Sequence, residues 1–184
     1  MKNIIILTPV YNDWESFTKL IVEIDKVVSN FKNMSFKLIA INDGSKEKTP
    51  PLKLPSNLEF IEILNMKINQ GHAICLANGM KYALKNYEFD GLILMDADGE
   101  DRPVEIFDLI NKARELNNVS IVAKRVKRSE GPIFSIFYFL HKVLTLILTG
   151  KLMNFGNYSL IIKKDVEKII KDPTIVYNFS GTLK

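Results

Sequence analysis

Apolar positions along this chain fall into two kinds of run that alternate. Ile4, Ile5, Ile6 and Leu7 form a short unbroken stretch stopped by Pro9, the pattern of a strand buried on both faces. Behind it, Phe17, Leu20, Ile21, Ile24, Val27, Val28 and Phe31 recur at helical spacing, and Asn12 or Asp13 is placed to cap the free N–H groups at the helix start. Apolar runs over 38–41 and 60–64 predict two more strands, separated from each other by a Pro- and Lys-rich loop at 45–57, and a helix follows over about 72–87. Leu92, Ile93, Leu94 and Met95 read as another buried strand, 104–116 as a helix with Pro103 where a first turn tolerates proline, and 119–123 as a further strand. A short strand near 158–162 and a helix over about 164–170 precede a C-terminal tail at 171–184.

Strands alternating with helices predict an α/β fold with a mostly parallel central sheet flanked by helices, because parallel neighbours need a crossover connection. Ligands in such sheets bind beyond the carboxyl ends of the strands. Segments 8–13, 42–45 and 95–101 each follow a predicted strand, so topology brings them to one edge. The stretch 132–150 differs in kind: Ile133, Phe134, Ile136, Phe137, Phe139, Leu140, Leu144, Leu146 and Leu148 are interrupted only by a few polar residues, among them His141 and Lys142. It is at the lower limit for a membrane span and would put Lys142 near the middle, so the expectation is an apolar amphipathic helix. Such a helix lies in a membrane interface or packs against the core or another subunit.

A chain of 184 residues is one ordinary domain, here 1–170, and at that length about 70% of the unfolded chain's surface is buried on folding. The single cysteine, Cys75, excludes a disulfide framework and a CxxC zinc site. A net charge of +4 favours anionic partners without singling out nucleic acid, which is not expected as a partner. The distribution says more: Lys124, Arg125, Lys127 and Arg128 form a basic cluster, and Asp96, Asp98, Glu100 and Asp101 an acidic one upstream. Only a short apolar run follows Lys2, so no signal peptide is expected and the chain is placed in the cytoplasm.

The acidic cluster Met95-Asp96-Ala97-Asp98-Gly99-Glu100-Asp101 directly follows a buried strand. If it is extended, residues two apart project to one side and Asp96, Asp98 and Glu100 converge. Such oxygen ligands suit Mg²⁺ or Mn²⁺, which complete their shell with substrate phosphates and water. The alternative is a turn whose Asp residues cap the next helix. Asn42-Asp43-Gly44-Ser45 likewise offers Asp43 as an acceptor for a nucleobase, or else an Asx-type turn with Gly44 at positive φ. Lys67 and His72 read as solvated residues flanking a helix start. No G-x-G-x-x-G follows the first strand, which argues against a dinucleotide-binding enzyme.

Taken in order, these segments resemble glycosyltransferase family 2, the inverting, nucleotide-sugar-dependent enzymes of GT-A fold, and most closely the polyprenyl-phosphate branch related to dolichyl-phosphate mannose synthase. The family's P-x-Y-N-E is seen as Pro9-Val10-Tyr11-Asn12-Asp13 and its D-D-G-S as Asn42-Asp43-Gly44-Ser45. Its N-x-G-x-x-x-A-x-x-x-G looks like Asn69, Gly71, Cys75 and Gly79, and its D-A-D-x-Q-D-x-P-E like the segment from Asp96 through Pro103. Its G-x-R-x-x-R looks like Ala123-Lys124-Arg125-Val126-Lys127-Arg128.

The resemblance implies that Pro9, Tyr11, Asp13 and Asp43, with Gly71, Asp96 and Ala97, hold a nucleoside-diphosphate sugar. It also implies that Asp96, Asp98 and Glu100 hold Mg²⁺ or Mn²⁺, and that Asp98, Arg125 and Arg128 serve catalysis. The implied acceptor is a polyprenyl phosphate or a membrane-associated glycan, reached from the inner face of the cytoplasmic membrane. Where the family has G-D-F-R-L this chain has Gly156-Asn157-Tyr158-Ser159-Leu160. Neutral Asn157 cannot take a proton as a carboxylate would, whereas a phosphate acceptor is already anionic and needs no base. Residues 171–184 do not supply the further helices common in the family, so the alternatives are a soluble catalytic portion, a protein that works with a separate membrane subunit, or a truncated relative. Donor binding without turnover is the second functional reading, and a homo-oligomer is among the expected partners.

Overall fold

In the computed structural model, which describes residues 1–124 and 155–173, strands β1 (Asn3–Val10), β2 (Ser35–Asn42), β3 (Ile61–Asn65), β4 (Gly91–Leu94), β5 (Ile121–Lys124) and β6 (Phe155–Ile162) build one sheet. Their spatial order is β3-β2-β1-β4-β6-β5. Helices α1 (Trp14–Val28), α2 (His72–Asn86), α3 (Ile106–Glu115, entered through a 3₁₀ turn at Pro103–Glu105) and α4 (Lys163–Ile169) cover it. The pairs β1–β2, β2–β3 and β1–β4 are parallel, while β6 is antiparallel to both β4 and β5. The predicted mostly parallel sheet is therefore present, with β6 reversed within it.

Period-two alternation sends one unbroken apolar run to two cores. Ile4, Ile6, Phe36, Leu38, Ile93 and Leu160 pack with α1 and α3 on one face; Ile5, Leu7, Ile39, Ile41, Leu92 and Ile161 pack with α2 and α4 on the other. The helical stripe of α1 is buried as its spacing requires, through Phe17, Leu20, Ile21, Ile24 and Val28. Asp13 supplies the cap: its carboxylate accepts from Ser16 N at 3.1 Å. On the second face α2 lies close to the sheet because Gly79 has no side chain, and a Cβ there would stand 2.8 Å from Ile41 Cδ1.

Pro9 does not end its strand. Pairing of β1 with β4 stops at Leu7, while pairing with β2 continues through Pro9 to Val10. The Leu7 carbonyl accepts from Met95 on the β4 side, and residues two apart point the same way. The N–H that Pro9 lacks would therefore face a side where the neighbouring strand has already ended, which is where a sheet tolerates proline.

Strand order also locates the ligand edge. From β1 the chain moves through β2 to β3 on one side, and α2 then carries it to β4 on the other side of β1. This reversal opens a crevice at the carboxyl ends of β1 and β4. Strand β5 runs parallel to β4, so the chain leaves the sheet at this same edge after Lys124 and returns to it at Phe155. Arg125, Arg128, the helix expected at 132–150 and the tail beyond 173 lie outside the described residues. Among the described residues no helix is long and apolar enough to cross a membrane.

Candidate active site

Three loops and the first turn of α2 meet at this edge. In the loop after β1, Asn12 takes a left-handed conformation (φ 54°), accepts from Lys46 N through Oδ1 at 2.8 Å and donates its own N–H to Ser45 Oγ at 2.9 Å. Asparagine tolerates that conformation better than most residues. The loop carrying Tyr11 and Asp13 is thereby pinned to the one after β2.

The loop after β2 turns through Gly44 at φ +68°, with Asn42 Oδ1 accepting from Ser45 N at 2.9 Å. The expected Asx-type turn is present, closed by Asn42 rather than Asp43. Asp43 is buried, 4% exposed, and its two oxygens accept from Gln70 N at 2.8 Å and Gly71 N at 2.9 Å. It therefore fixes the segment leading into α2, and a carboxylate with two such bonds still has lone pairs for a ligand.

After β4 the acidic loop folds back instead of extending. Asp101 Oδ2 accepts from Asp96 N at 2.8 Å, Asp98 Oδ1 accepts from Glu100 N at 2.9 Å, and Gly99 has φ +82°. Short polar side chains that bond nearby backbone compete with extension, and here they prevail. The expectation that alternation would gather Asp96, Asp98 and Glu100 is thus corrected. Asp96 and Asp98 line the cavity at this edge and exposed Glu100 does not. Among the described residues no three His, Cys, Asp or Glu side chains form a group able to hold a metal ion. Two aspartates with hard oxygen donors still fit Mg²⁺ or Mn²⁺, ions that use one or two carboxylates and take the rest from phosphate and water.

His72, expected in solvent, is the residue whose place sequence reasoning missed. Its Nε2 lies 2.6 Å from Asp96 Oδ1 and its Nδ1 lies 3.5 Å from Asn157 Nδ2. Burial alone would depress its pKa, but the bond to Asp96 and the charges of Asp96, Asp101 and Asp98 outweigh burial and raise it. Topology held the signal: His72 opens a helix at the edge where the acidic loop ends, whereas residue type alone says only that a polar side chain flanks a helix.

Pro9, Tyr11, Asp13, Asp43, Gly71, Asp96, Ala97 and Asp98 line a single cavity of about 380 Å³ together with Val10, Asn69 and His72. Every described residue singled out for the donor from sequence is in that lining. A larger hollow of about 520 Å³ lies between α3 and β5, lined by Leu109, Ile121 and Ala123 under a rim that includes Glu105 and Asp108, and takes in none of the three loops. On β6, Ser159 is fully buried opposite Leu94 and donates to the Asn157 carbonyl at 2.9 Å, so its hydroxyl is not offered to a ligand. Lys67 is exposed as expected.

Cys75, in the second turn of α2, is buried with its thiol 3.3 Å from Met66 Sδ. Burial, with Asp43 adding to it, pushes the thiol pKa up to about 12. Native protein at pH 8 should therefore resist iodoacetamide, since the thiolate is the reactive form. The unfolded chain should be alkylated readily, which mass spectrometry with and without denaturant will show. The sign for stability follows: a raised folded pKa means that the stability from the protonated thiol is intact below about pH 8.5, the unfolded value. It is lost as pH rises from there toward about 12.

The family model described as glycosyl transferase family 2 matches residues 5–169. An uncharacterized glycosyltransferase of Synechocystis sp. is 30% identical over 174 residues, 91% of this chain and 52% of that protein. Another, from Bacillus subtilis, is 30% identical over 135 residues, 70% of this chain and 39% of that protein. The chain thus spans about half the length, or less, of the curated relatives it matches. Among solved structures, glucosyl-3-phosphoglycerate synthase from Mycobacterium tuberculosis, in complex with Mn²⁺, UDP-glucose and phosphoglyceric acid, superposes with a TM-score of 0.61 at 13% identity, covering 89% of this chain and 57% of that one. A second mycobacterial protein gives 0.59 at 12% identity, with 89% and 54% covered. These likenesses establish the fold, and the family match runs from β1 into α4 across all the loops of the cavity: the chain belongs to glycosyltransferase family 2 and has the GT-A fold.

Proposed function

We propose that this chain forms the donor site of a metal-dependent inverting glycosyltransferase, which moves a sugar from a nucleoside-diphosphate sugar to a polyprenyl phosphate or a membrane-associated glycan. The observation that carries this reading is the cavity in which the loops after β1, β2 and β4 meet, with Asp43 on one side and Asp96 and Asp98 on the other. A neighbour of the same fold holds Mn²⁺ and UDP-glucose, which supports a nucleotide sugar and a divalent ion as the ligand classes.

In this reading Pro9, exposed Tyr11, Asp13 and Asp43 hold the nucleoside, and Gly71 and Ala97 give the donor close access to backbone. Asp96 and Asp98 would hold Mg²⁺ or Mn²⁺, whose charge offsets that developing on the departing diphosphate. Arg125 and Arg128 add to that neutralisation from the chain that follows β5. An acceptor oxygen forms its bond to the anomeric carbon as the bond from that carbon to the diphosphate oxygen breaks, and configuration inverts. A hydroxyl acceptor would need a base, and Asn157, at the cavity edge through His72, is neutral. A phosphate oxygen already carries the charge, which favours the lipid phosphate.

The chain leaves and rejoins the sheet at the cavity edge, at Lys124 and Phe155. The basic cluster 124–128 and the apolar 132–150 segment lie between those two points in the chain. Such a pairing suits the anionic inner face of the cytoplasmic membrane. Buried Ser159, standing where the family pattern has Arg, favours a second reading in which donor is bound without turnover until a partner subunit or a second copy completes the site. Incubating the protein with labelled UDP-glucose or GDP-mannose and undecaprenyl phosphate in anionic vesicles separates the two. The transferase reading expects label in the lipid fraction and its loss with EDTA; donor binding with no labelled lipid from either donor leaves the binding-only reading.

A further inference from the structure

Asp96 stands just past the end of β4, where the sheet no longer fixes the chain, yet the donor-site reading needs its carboxylate held in place. Two contacts hold the residue. Its backbone N–H is taken by Asp101 Oδ2 at 2.8 Å, and its side chain meets His72 Nε2 through Oδ1 at 2.6 Å. A carboxylate oxygen can only accept, so Nε2 carries the proton. In the neutral ring Nδ1 is then an acceptor, and Asn157 Nδ2 lies 3.5 Å from it.

We propose that His72 is a positioning residue for Asp96, and that Asn157 orients His72 for that task by donating to Nδ1. The inference rests on the donor-site reading above and deepens it. The imidazole engages Oδ1 and so fixes the carboxylate plane, which aims Oδ2 for a ligand. An Asp at 157 would require a proton on Nδ1 and so a cationic ring between two carboxylates. Asn157 orients the same ring without adding charge beside Asp96, so its departure from the family pattern has a use of its own. The arrangement also joins the two halves of the cavity. Asp43 grips Gly71 N, the next residue is His72, and His72 grips Asp96.

The test uses the full chain with Mn²⁺ and either UDP or GDP, reading bound Mn²⁺ by electron paramagnetic resonance. Residues that orient metal ligands typically contribute about 10- to 100-fold in affinity, so His72→Ala should weaken Mn²⁺ binding by that factor. His72→Gln, whose amide can donate to Asp96 Oδ1, should recover most of it, and a purely structural role would not show that rescue. Nitrogen-15 spectra of the His72 ring, recorded at a pH above its titration, should show the Nε2-protonated tautomer in the wild type and a loss of that preference in Asn157→Leu. Unchanged Mn²⁺ affinity in folded His72→Ala, or a ring protonated on Nδ1 alone, overturns the proposal and leaves the donor site standing. Wild-type protein that binds Mn²⁺ with neither nucleotide overturns the donor-site reading and this proposal with it.

Discussion

Gly44→Ala is expected to remove nucleotide binding and to lower stability by about 2–3 kcal/mol, the sum of left-handed backbone strain and overpacking. At φ +68° an alanine is strained wherever it stands, and here its Cβ would lie 2.6 Å from both Asn69 N and Ile68 C. Those are backbone atoms and cannot rotate aside. The 68–71 segment must move, taking with it the N–H groups of Gln70 and Gly71 that Asp43 holds. Gly99→Ala is the matched control. Its φ is +82°, but a Cβ there meets nothing within 4 Å. It should cost about 1 kcal/mol of backbone strain and leave the α2 entrance in place. Urea unfolding of the two variants separates collision from strain, and the separation fails if both lose the same stability.

Asp43→Ala should be the second large effect. It leaves two backbone N–H groups without their acceptor beside a buried position, at a cost of about 2 kcal/mol, reduced from the sum for two buried donors because Gln70 is exposed and water reaches it. Asp43→Asn keeps one acceptor oxygen and should lose about half as much. Nucleotide affinity should fall in the same order, because the entrance to α2 shapes one wall of the cavity. Equal stability for Ala and wild type would show that Asp43 does not hold that segment.

The contrast between helical spacing at 17–31 and the unbroken run at 4–7 told helix from strand, and the order of the runs told which edge the loops share. That was enough to bring the segments 8–13, 42–45 and 95–101 to one edge, while Gly71 and the donor-binding set came from the family resemblance. Strand direction was not legible. Leu160 and Ile161 are buried on opposite faces whichever way β6 runs, so the reversal leaves no trace in the pattern. Nor was the fold of the acidic loop, because the extended and turned forms of Asp96 to Asp101 use the same carboxylates. The choice depends on the bonds from Asp101 and Asp98 to backbone N–H groups. His72 was lost for a related reason: its partners, Asp96 and Asn157, are 24 and 85 residues away. A one-residue estimate of exposure cannot see them.

The central claim is that this edge is a nucleotide-sugar site dependent on Asp98 and a divalent ion. Calorimetric titration of the purified chain with UDP, GDP, UDP-glucose and GDP-mannose, each with and without Mn²⁺ and repeated for Asp98→Ala, tests it most directly. The expected result is Mn²⁺-dependent binding of the nucleotides of one base, lost in a folded Asp98→Ala variant. Folded wild-type protein that binds none of the four, or binds them equally without Mn²⁺ and without Asp98, would contradict it.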